Sequence, residues 1–361
     1  SAMNAALIIG MCCLEMEAIA VTINLMTGWS YTVSAILGGV VAVLYVLLAG
    51  MKEIAWLNLI NAIVMYLGLI LVFISLIFKL PGGWDAVETT MLSSPDTAWM
   101  TDLFGNPALI IGFAIPSALG ASLFHGMAQT GYQPVATAKN NKEVKKSIWF
   151  AGPINGCFCI LPALIGVAAF SIVAYRSAGD MMMTPAMMAD LLPKPVLGLL
   201  LAGFLGVDLS SFAVMSLAPA TIISHDMYTL KNPKATEEQK TRLTRIIIVI
   251  IGIVSILICN LQPVVVNMVN WSFAFGVPVF VMGVFGLWWK RSAKASVITF
   301  VITWIAVCIW STFGLQDYLQ MANFHVTYIA TIFSVVIGVI TTAVCEGKPG
   351  LFVKKKSTLS V

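Results

Sequence analysis

The run VLGLLLAGFLGVDLSSFAVMSLAPATIIS at 196–224 contains one charged side chain, Asp208. A spanning helix needs roughly 20 mostly apolar residues, so this tract is long enough to cross a bilayer with a tilt or a break. Nine other tracts read the same way, at about 4–26, 33–51, 54–79, 106–132, 147–175, 242–260, 262–289, 295–315 and 323–344. Hydrophobic residues make up 59% of the 361 and charged residues only 10%, against about a quarter charged in an ordinary soluble domain. Too few charges remain to wet the surface of a globule of this size. With no polar stretch large enough for a separate domain, residues 1–361 read as one all-α integral membrane domain of about ten transmembrane helices.

The net charge of +4 matters less than its distribution. Seventeen of the 20 Lys and Arg fall in alternate connections or the C-terminal tail: Lys52; Lys139, Lys142, Lys145 and Lys146; Lys231, Lys234, Lys240, Arg242 and Arg245; Lys290, Arg291 and Lys294; Lys348 and Lys354 to Lys356. The opposite connections hold Lys79, Arg176 and Lys194. That alternation follows the positive-inside rule for ten helices with both termini in the cytoplasm. It makes 139–146 and 225–241 cytoplasmic loops and 346–361 a basic cytoplasmic tail, with the cell's inner (plasma) membrane as the expected location. The basic clusters sit in short loops beside helix ends, which argues against nucleic acid as a partner.

The seven cysteines lie almost entirely within the apolar tracts and read as small buried residues. Ser1-Ala2-Met3 is consistent with a cloning remnant. The chain shows no basic leader or cleavage pattern before it enters a membrane helix, an abrupt start that creates the expectation of earlier helices. P-loop, HExxH, GxSxG, dinucleotide and CxxCH patterns are missing, and His125, His225 and His325 have no metal-ligand spacing. The expectation is a non-enzyme without an organic cofactor.

An ionisable group in hydrocarbon costs several kcal/mol if left charged against lipid, which makes each one a functional candidate. Glu15 and Glu17, two residues apart, point in different directions on a helix; substrate or proton handling and structural pairing both fit them. Asp208 and Ser211 share one helical face with Ser210 alongside. Their oxygens are hard ligands of the kind a small cation prefers, although serines in helices also bond back to carbonyls one turn earlier. Pro219 removes a helical hydrogen bond and predicts a kink. In the tract at 106–132, Ile115-Pro116, Gly120, Phe124-His125-Gly126 and Gly131-Tyr132-Gln133-Pro134 predict interrupted helix, tolerable in a membrane only where it faces protein or a water-filled cavity. Phe124, His125, Gln129 and Tyr132 are therefore candidate substrate-pocket liners. Asn58 and Asn61 lie on one side of the third tract and suit hydrogen bonds between helices, while Trp56 lies near the interface.

Four stretches resemble the sodium:solute symporter family. Ala274-Phe275-Gly276-Val277-Pro278-Val279, followed by Gly286-Leu287-Trp288-Trp289-Lys290-Arg291, is similar to that family's phenylalanine-glycine-proline segment with its tryptophan-lysine-arginine stop. Asp226-Met227-Tyr228, with Pro233 and Arg245 downstream, resembles its aspartate-isoleucine-tyrosine sequence. Gln133-Pro134 with Ala138-Lys139-Asn140 resembles a glutamine-arginine and alanine-lysine-serine segment, Pro134 replacing the arginine. Tyr45, Gly50 and Trp56 fit a tyrosine, glycine and tryptophan at matching intervals. The likeness extends over about 330 residues, with order and spacing preserved.

The resemblance implies an inverted-repeat fold like the bacterial leucine transporter, and sodium-coupled symport of a small organic solute across the lipid bilayer. Counted back from Asp226, Ser210 and Ser211 occupy the positions that help bind the coupling sodium ion, the rest of whose site lies on the first core helix. By that register the chain begins at the third core helix, three short of the 13-helix pattern. Asn58 stands where the family has an aspartate near the inner ion-exit route, and Ala213 replaces an aspartate or small polar residue, with Asp208 a turn earlier. Asn58, Asp208, Glu15 and Glu17 are thus candidates for an ion pathway. Two other roles stay open: a noncatalytic membrane scaffold or sensor, and a proton-coupled solute carrier. The aromatic and amide lining suits a small organic acid or amino acid better than a sugar.

Overall fold

The computed structural model describes residues 2–48, 51–102, 104–136, 138–261, 265–321 and 324–353; Gly50 and the tail lysines Lys354 to Lys356 lie outside them. Ten helices among the described residues are long and apolar enough to cross a membrane, matching the ten apolar tracts. They are α1 (Ala2–Thr27), α2 (Tyr31–Leu48) and α3 (Met51–Lys79); α4, in consecutive pieces Pro107–Leu109, Ile110–Ala114 and Ile115–His125; and α5, in pieces Asn141–Phe158 and Ile160–Ser171. Then follow α6 (Lys194–Thr221), α7 (Glu237–Cys259), α8 (Val265–Trp288), α9 (Ala293–Thr312) and α10 (Val326–Val344).

The helix ends have local causes. Gly28, at φ 72°, takes the left-handed conformation that a side chain resists, and its N–H bonds to Asn24 O at 2.8 Å to finish α1. The Thr236 hydroxyl accepts from Gln239 N, and the Gln239 side chain returns a bond to Thr236 N, a capping box that starts α7. Asn106 caps α4 with Pro107 behind it, and Asn140 and Ser292 cap α5 and α9. α5 starts at Asn141 and α7 at Glu237, so helix reaches into both 139–146 and 225–241.

Two interruptions fall where composition placed them. α4 carries a π-helical turn at Ile110–Ala114 just before Pro116, stops at His125, and resumes as the short helix Gln129–Ala136 after Gly126 and Met127. α6 runs through Pro219 to Thr221, continues as a π-helical stretch at Ile222–Met227 and ends in Tyr228–Lys231. Pro219 has no N–H for the helical ladder, and wide turns downstream are one way a helix absorbs such a defect.

The chain forms two compact units. The first comprises 1–105 and 133–263. Within it α1, α2, α6 and α7 share a core containing Cys12, Met16, Ile19, Ala42, Phe212 and Ile251. A second core joins α3, α5 and α6 to the short helices Gly83–Leu92 and Met183–Leu191. α3 and α6 run antiparallel and close: a side-chain carbon on Gly203 would sit 3.0 Å from the backbone of Met65, and one on Gly206 2.6 Å from Asn61 Oδ1. Small residues allow this approach, which in lipid replaces the hydrophobic drive that water would supply.

The second unit comprises 106–132 and 264–361. Its core gathers Ala274, Val277, Val307, Trp310 and Ala330 from α8, α9 and α10. Buried hydroxyls join α9 to α10, with Thr299 Oγ1 and Thr341 Oγ1 2.9 Å apart. Lys290 donates to the carbonyls of Ala343 and Cys345 at 3.2 and 3.0 Å, capping the end of α10. Beside it, Lys290–Arg291 pairs antiparallel with Lys348–Pro349.

Candidate cation site

α6 brings Asp208, Ser210 and Ser211 to the first unit. Ser210 is 4% exposed and donates to Val207 O at 2.8 Å, the back-bond expected of a serine in a helix. That bond uses its hydrogen and leaves oxygen lone pairs available to a cation. Ser211 and Asp208 are half-buried on a common face, and neither side chain has a hydrogen-bond partner among the described residues. Glu15, half-buried on α1, lies within electrostatic reach of Asp208. Glu15 and Asp208 therefore approach one another at the α1–α6 contact, Ser211 shares the face of Asp208, and Ser210 lies about 200° around the helix from Asp208.

α3 adds an amide oxygen. Gly68 packs on Leu200, Met65 on Gly203 and Asn61 on Gly206, so each turn along α3 steps one turn back along α6. Continuing that register sets Asn58 level with Leu209 and Ser210. Asn61 Nδ2 donates to Gly206 O at 2.8 Å, the interhelical bond expected of it, whereas Asn58 Oδ1 is buried without a partner. The two asparagines do different things, and Asn58 offers an unfilled acceptor at the height of the serines. Trp56, the other polar-capable residue at this end of α3, is exposed, as an interfacial indole would be.

The four expected pocket liners fall together in the second unit and are held mostly by packing. Phe124, 6% exposed, fills the space over Gly276, where a side-chain carbon would meet its ring at 2.5 Å, and its ring lies 5.5 Å from that of Phe273. His125 Nδ1 is 2.9 Å from Ala121 O, and its ring meets Phe124 and Phe273 edge-on. Tyr132 donates to Gly126 O at 2.8 Å, bridging the gap after α4. Gln129, half-buried, begins the helix beyond the gap. The break keeps much of its carbonyl bonding, with Phe124 O accepting from Met127 N and Ala128 O from Gly131 N and Tyr132 N; unwound backbone is the kind that can present oxygens a regular helix cannot.

No three His, Cys, Asp or Glu side chains converge as a transition-metal site among the described residues. Oxygens of serine, carboxylate and amide instead suit a hard monovalent ion. Elsewhere in the first unit a groove of about 640 Å³, walled by Trp99, Ile160, Leu164, Val167 and Phe170, lacks the few placed polar groups that orient a polar solute. Sequence reasoning did not foresee the polar side chains around Glu17 (Cys13, Tyr31 and Cys259), since each alone resembles an ordinary core residue and only the packing of α1, α2 and α7 gathers them.

In comparison with known proteins, the model of the sodium:solute symporter family matches residues 1–303. Among solved structures, the chain is similar to a Na+-coupled sialic acid symporter in a substrate-bound, outward-open state with a novel Na+ site. That similarity has a TM-score of 0.75 and 20% identity over 96% of this chain and 73% of the other. The fold is thus that of a sodium-coupled symporter, and a family match over most of its length shows that the chain belongs to the sodium:solute symporter family.

Proposed function

We propose that the protein couples sodium entry to the uptake of a small organic solute by alternating access, with Ser210 and Ser211 as sodium ligands. The observation that carries this reading is the buried, unpartnered Asn58 Oδ1 on α3, at a position that the register of α3 against α6 sets level with Ser210. Asp208, on the face of Ser211, adds negative charge that draws a cation in without closing the site. With Asn58 in place of a carboxylate, the oxygen stays and the charge moves to Asp208 one turn away. Basic connections on one side of the membrane orient both termini toward the cytoplasm.

Sodium binding favours one conformation only by as much as it binds that conformation better. An inward potential contributes about 2.3 kcal/mol per charge per 100 mV, roughly a 50-fold solute gradient for one ion. The break after His125 supplies carbonyls and amides for the solute, flanked by His125, Gln129 and Tyr132. A small organic acid is the solute class this lining fits, and sialic acid, carried by the structural neighbour, belongs in the test panel.

Calorimetry of the purified protein with sodium and with potassium tests the site. Sodium-specific binding that disappears in S210A/S211A is the expected result. Binding that survives the double substitution, or equals that of potassium, overturns the assignment.

A further inference from the structure

Glu17 lies within the candidate span Ile8–Thr27 of α1, ten residues before the helix ends at Thr27. It is 2% exposed, and neither carboxylate oxygen has a hydrogen-bond partner. Asp208 does not explain it: that side chain bears on Glu15, which points elsewhere on the helix.

The groups that face Glu17 come from three helices. From α2, Tyr31 lies within its electrostatic reach, and so does Cys259 at the end of α7. Both donate elsewhere: Tyr31 Oη to Cys259 O at 3.2 Å, and Cys259 Sγ to Ile256 O at 3.2 Å. Cys13, one turn back on α1, interacts with Ile9 O and Ser255 Oγ at 3.5 and 3.8 Å. α1 and α2 run antiparallel with Gly38 against Ile19 and Ile23, so Ser34, a fully buried α2 hydroxyl without a partner, lies nearer the end of α1 than Glu17 does. α1 and α2 contain no Lys, Arg or His. The basic residues of α7 are in its opening turns, and Arg245 is 14 residues before Cys259, about 21 Å along the axis. α6 brings Asp208 toward Glu15, and its π-helical continuation Ile222–Met227, which also packs on α1, carries His225 and Asp226, 14 or more residues beyond Asp208 and so about 20 Å further along the helix.

A bare carboxylate at this depth, with neither counter-charge nor donor, costs several kcal/mol. Hydrophobic evolution of the site would replace it by glutamine or leucine at no loss of packing, unless the charge has a use. We infer that Glu17 anchors a second monovalent-cation site, enclosed by α1, α2 and α7 and separate from Ser210 and Ser211, which holds a proton or a sodium ion. A proton requires one carboxylate oxygen. Sodium would add Tyr31 Oη and the Cys259 carbonyl, both hard oxygen donors. In either case the protein carries one more charge per cycle than the serine site alone provides, and opening the α1–α2–α7 contact to water is what would release it.

The test uses the full chain in lipid nanodiscs, comparing wild type, E17Q, S210A/S211A and E17Q/S210A/S211A. E17Q keeps the shape of the acid and needs no cation. Infrared difference spectra follow the protonated-carboxyl stretch and the carboxylate stretches, and thermal unfolding is followed across pH with sodium or choline. If the ion is a proton, wild type shows a protonated-carboxyl band without sodium, E17Q loses it, and S210A/S211A keeps it. If the ion is sodium, a carboxylate band shifts and the unfolding midpoint rises with sodium but not choline; E17Q loses the band shift and only part of the midpoint rise, S210A/S211A keeps the band shift and the rest of the rise, and E17Q/S210A/S211A loses both. An ionised Glu17 that ignores both sodium and acidification, with E17Q matching wild type in every response, overturns the inference. Since S210A/S211A preserves the expected infrared signals, failure here is distinguishable from failure of the serine site.

Discussion

Gly206→Ala tests the register that sets Asn58 beside Ser210. The added carbon would lie 2.6 Å from Asn61 Oδ1 and 2.8 Å from its Cγ, so the amide must rotate and surrender its 2.8 Å bond to Gly206 O. Interhelical bonds in membranes contribute about 0.6 kcal/mol on average and up to about 1.7. With the overlap added, the substitution destabilises by about 1–2 kcal/mol. Asn61→Ala loses the same bond, about 1 kcal/mol, but vacates the space into which the new methyl would fit. The double variant G206A/N61A should then be no less stable than N61A alone, a coupling of about 1 kcal/mol. Gly203→Ala is the control: its new carbon meets Met65 backbone at 3.0 Å, which no side-chain rotation relieves, so N61A does not rescue it. Reversible unfolding in mixed micelles titrated with dodecyl sulfate measures the wild type, the three single variants and the doubles G206A/N61A and G203A/N61A. Additive losses in G206A/N61A, or rescue of G203A by N61A, would refute the antiparallel packing from which Asn58 is placed.

Asp208→Asn should weaken sodium binding several-fold, about 1 kcal/mol at a half-buried position, with the difference shrinking as choline chloride is raised; equal loss at all ionic strengths would point to a direct ligand. His325 lies just outside the span of α10, where its Nδ1 accepts from Thr327 N at 3.2 Å, and burial lowers its pKa. The neutral form is the one the fold favours, so stability is full above the unfolded value of about 6.5 and declines as pH falls toward the folded one. H325N, still able to cap, should flatten that decline in a pH series of thermal midpoints. Lys290→Met removes two bonds to the end of α10; a loss of about 1–2 kcal/mol and faster amide exchange at 343–345 are expected, and unchanged exchange would show that the tail does not depend on the cap.

The ten spans were legible because hydrophobic length is a local property, and a chain 10% charged leaves few alternatives. The breaks in α4 and α6 were legible for a similar reason: proline lacks its N–H in any environment, and glycines near it loosen the same turns. The site was only partly so. That Asp208 and Ser211 share a face follows from helical periodicity alone, and Asn61 acts as the interhelical donor its residue type promised. The different fate of Asn58, and the level at which it meets Ser210, depends on a glycine register between helices about 145 residues apart in sequence. Phe124 shows the same dependence on distant sequence. An aromatic beside broken helix is a candidate pocket wall, but its packing over Gly276 is a contact that nothing within 106–132 announces.

Glu17 marks the deepest limit of sequence reading and the reason to go past it. Two acids in one apolar tract look interchangeable in one dimension, but a helix separates neighbours two residues apart by about 200°. One rotation turns Glu15 toward Asp208; the other buries Glu17 near Tyr31 and Cys259, with neither carboxylate oxygen hydrogen-bonded. The first arrangement fits a carboxylate that attracts an ion from water. The second cannot remain charged at low cost without a bound cation of its own, so if Glu17 holds the proposed ion, the pair divides the work of charge between entry and storage, and coupling stoichiometry is the quantity that reports it.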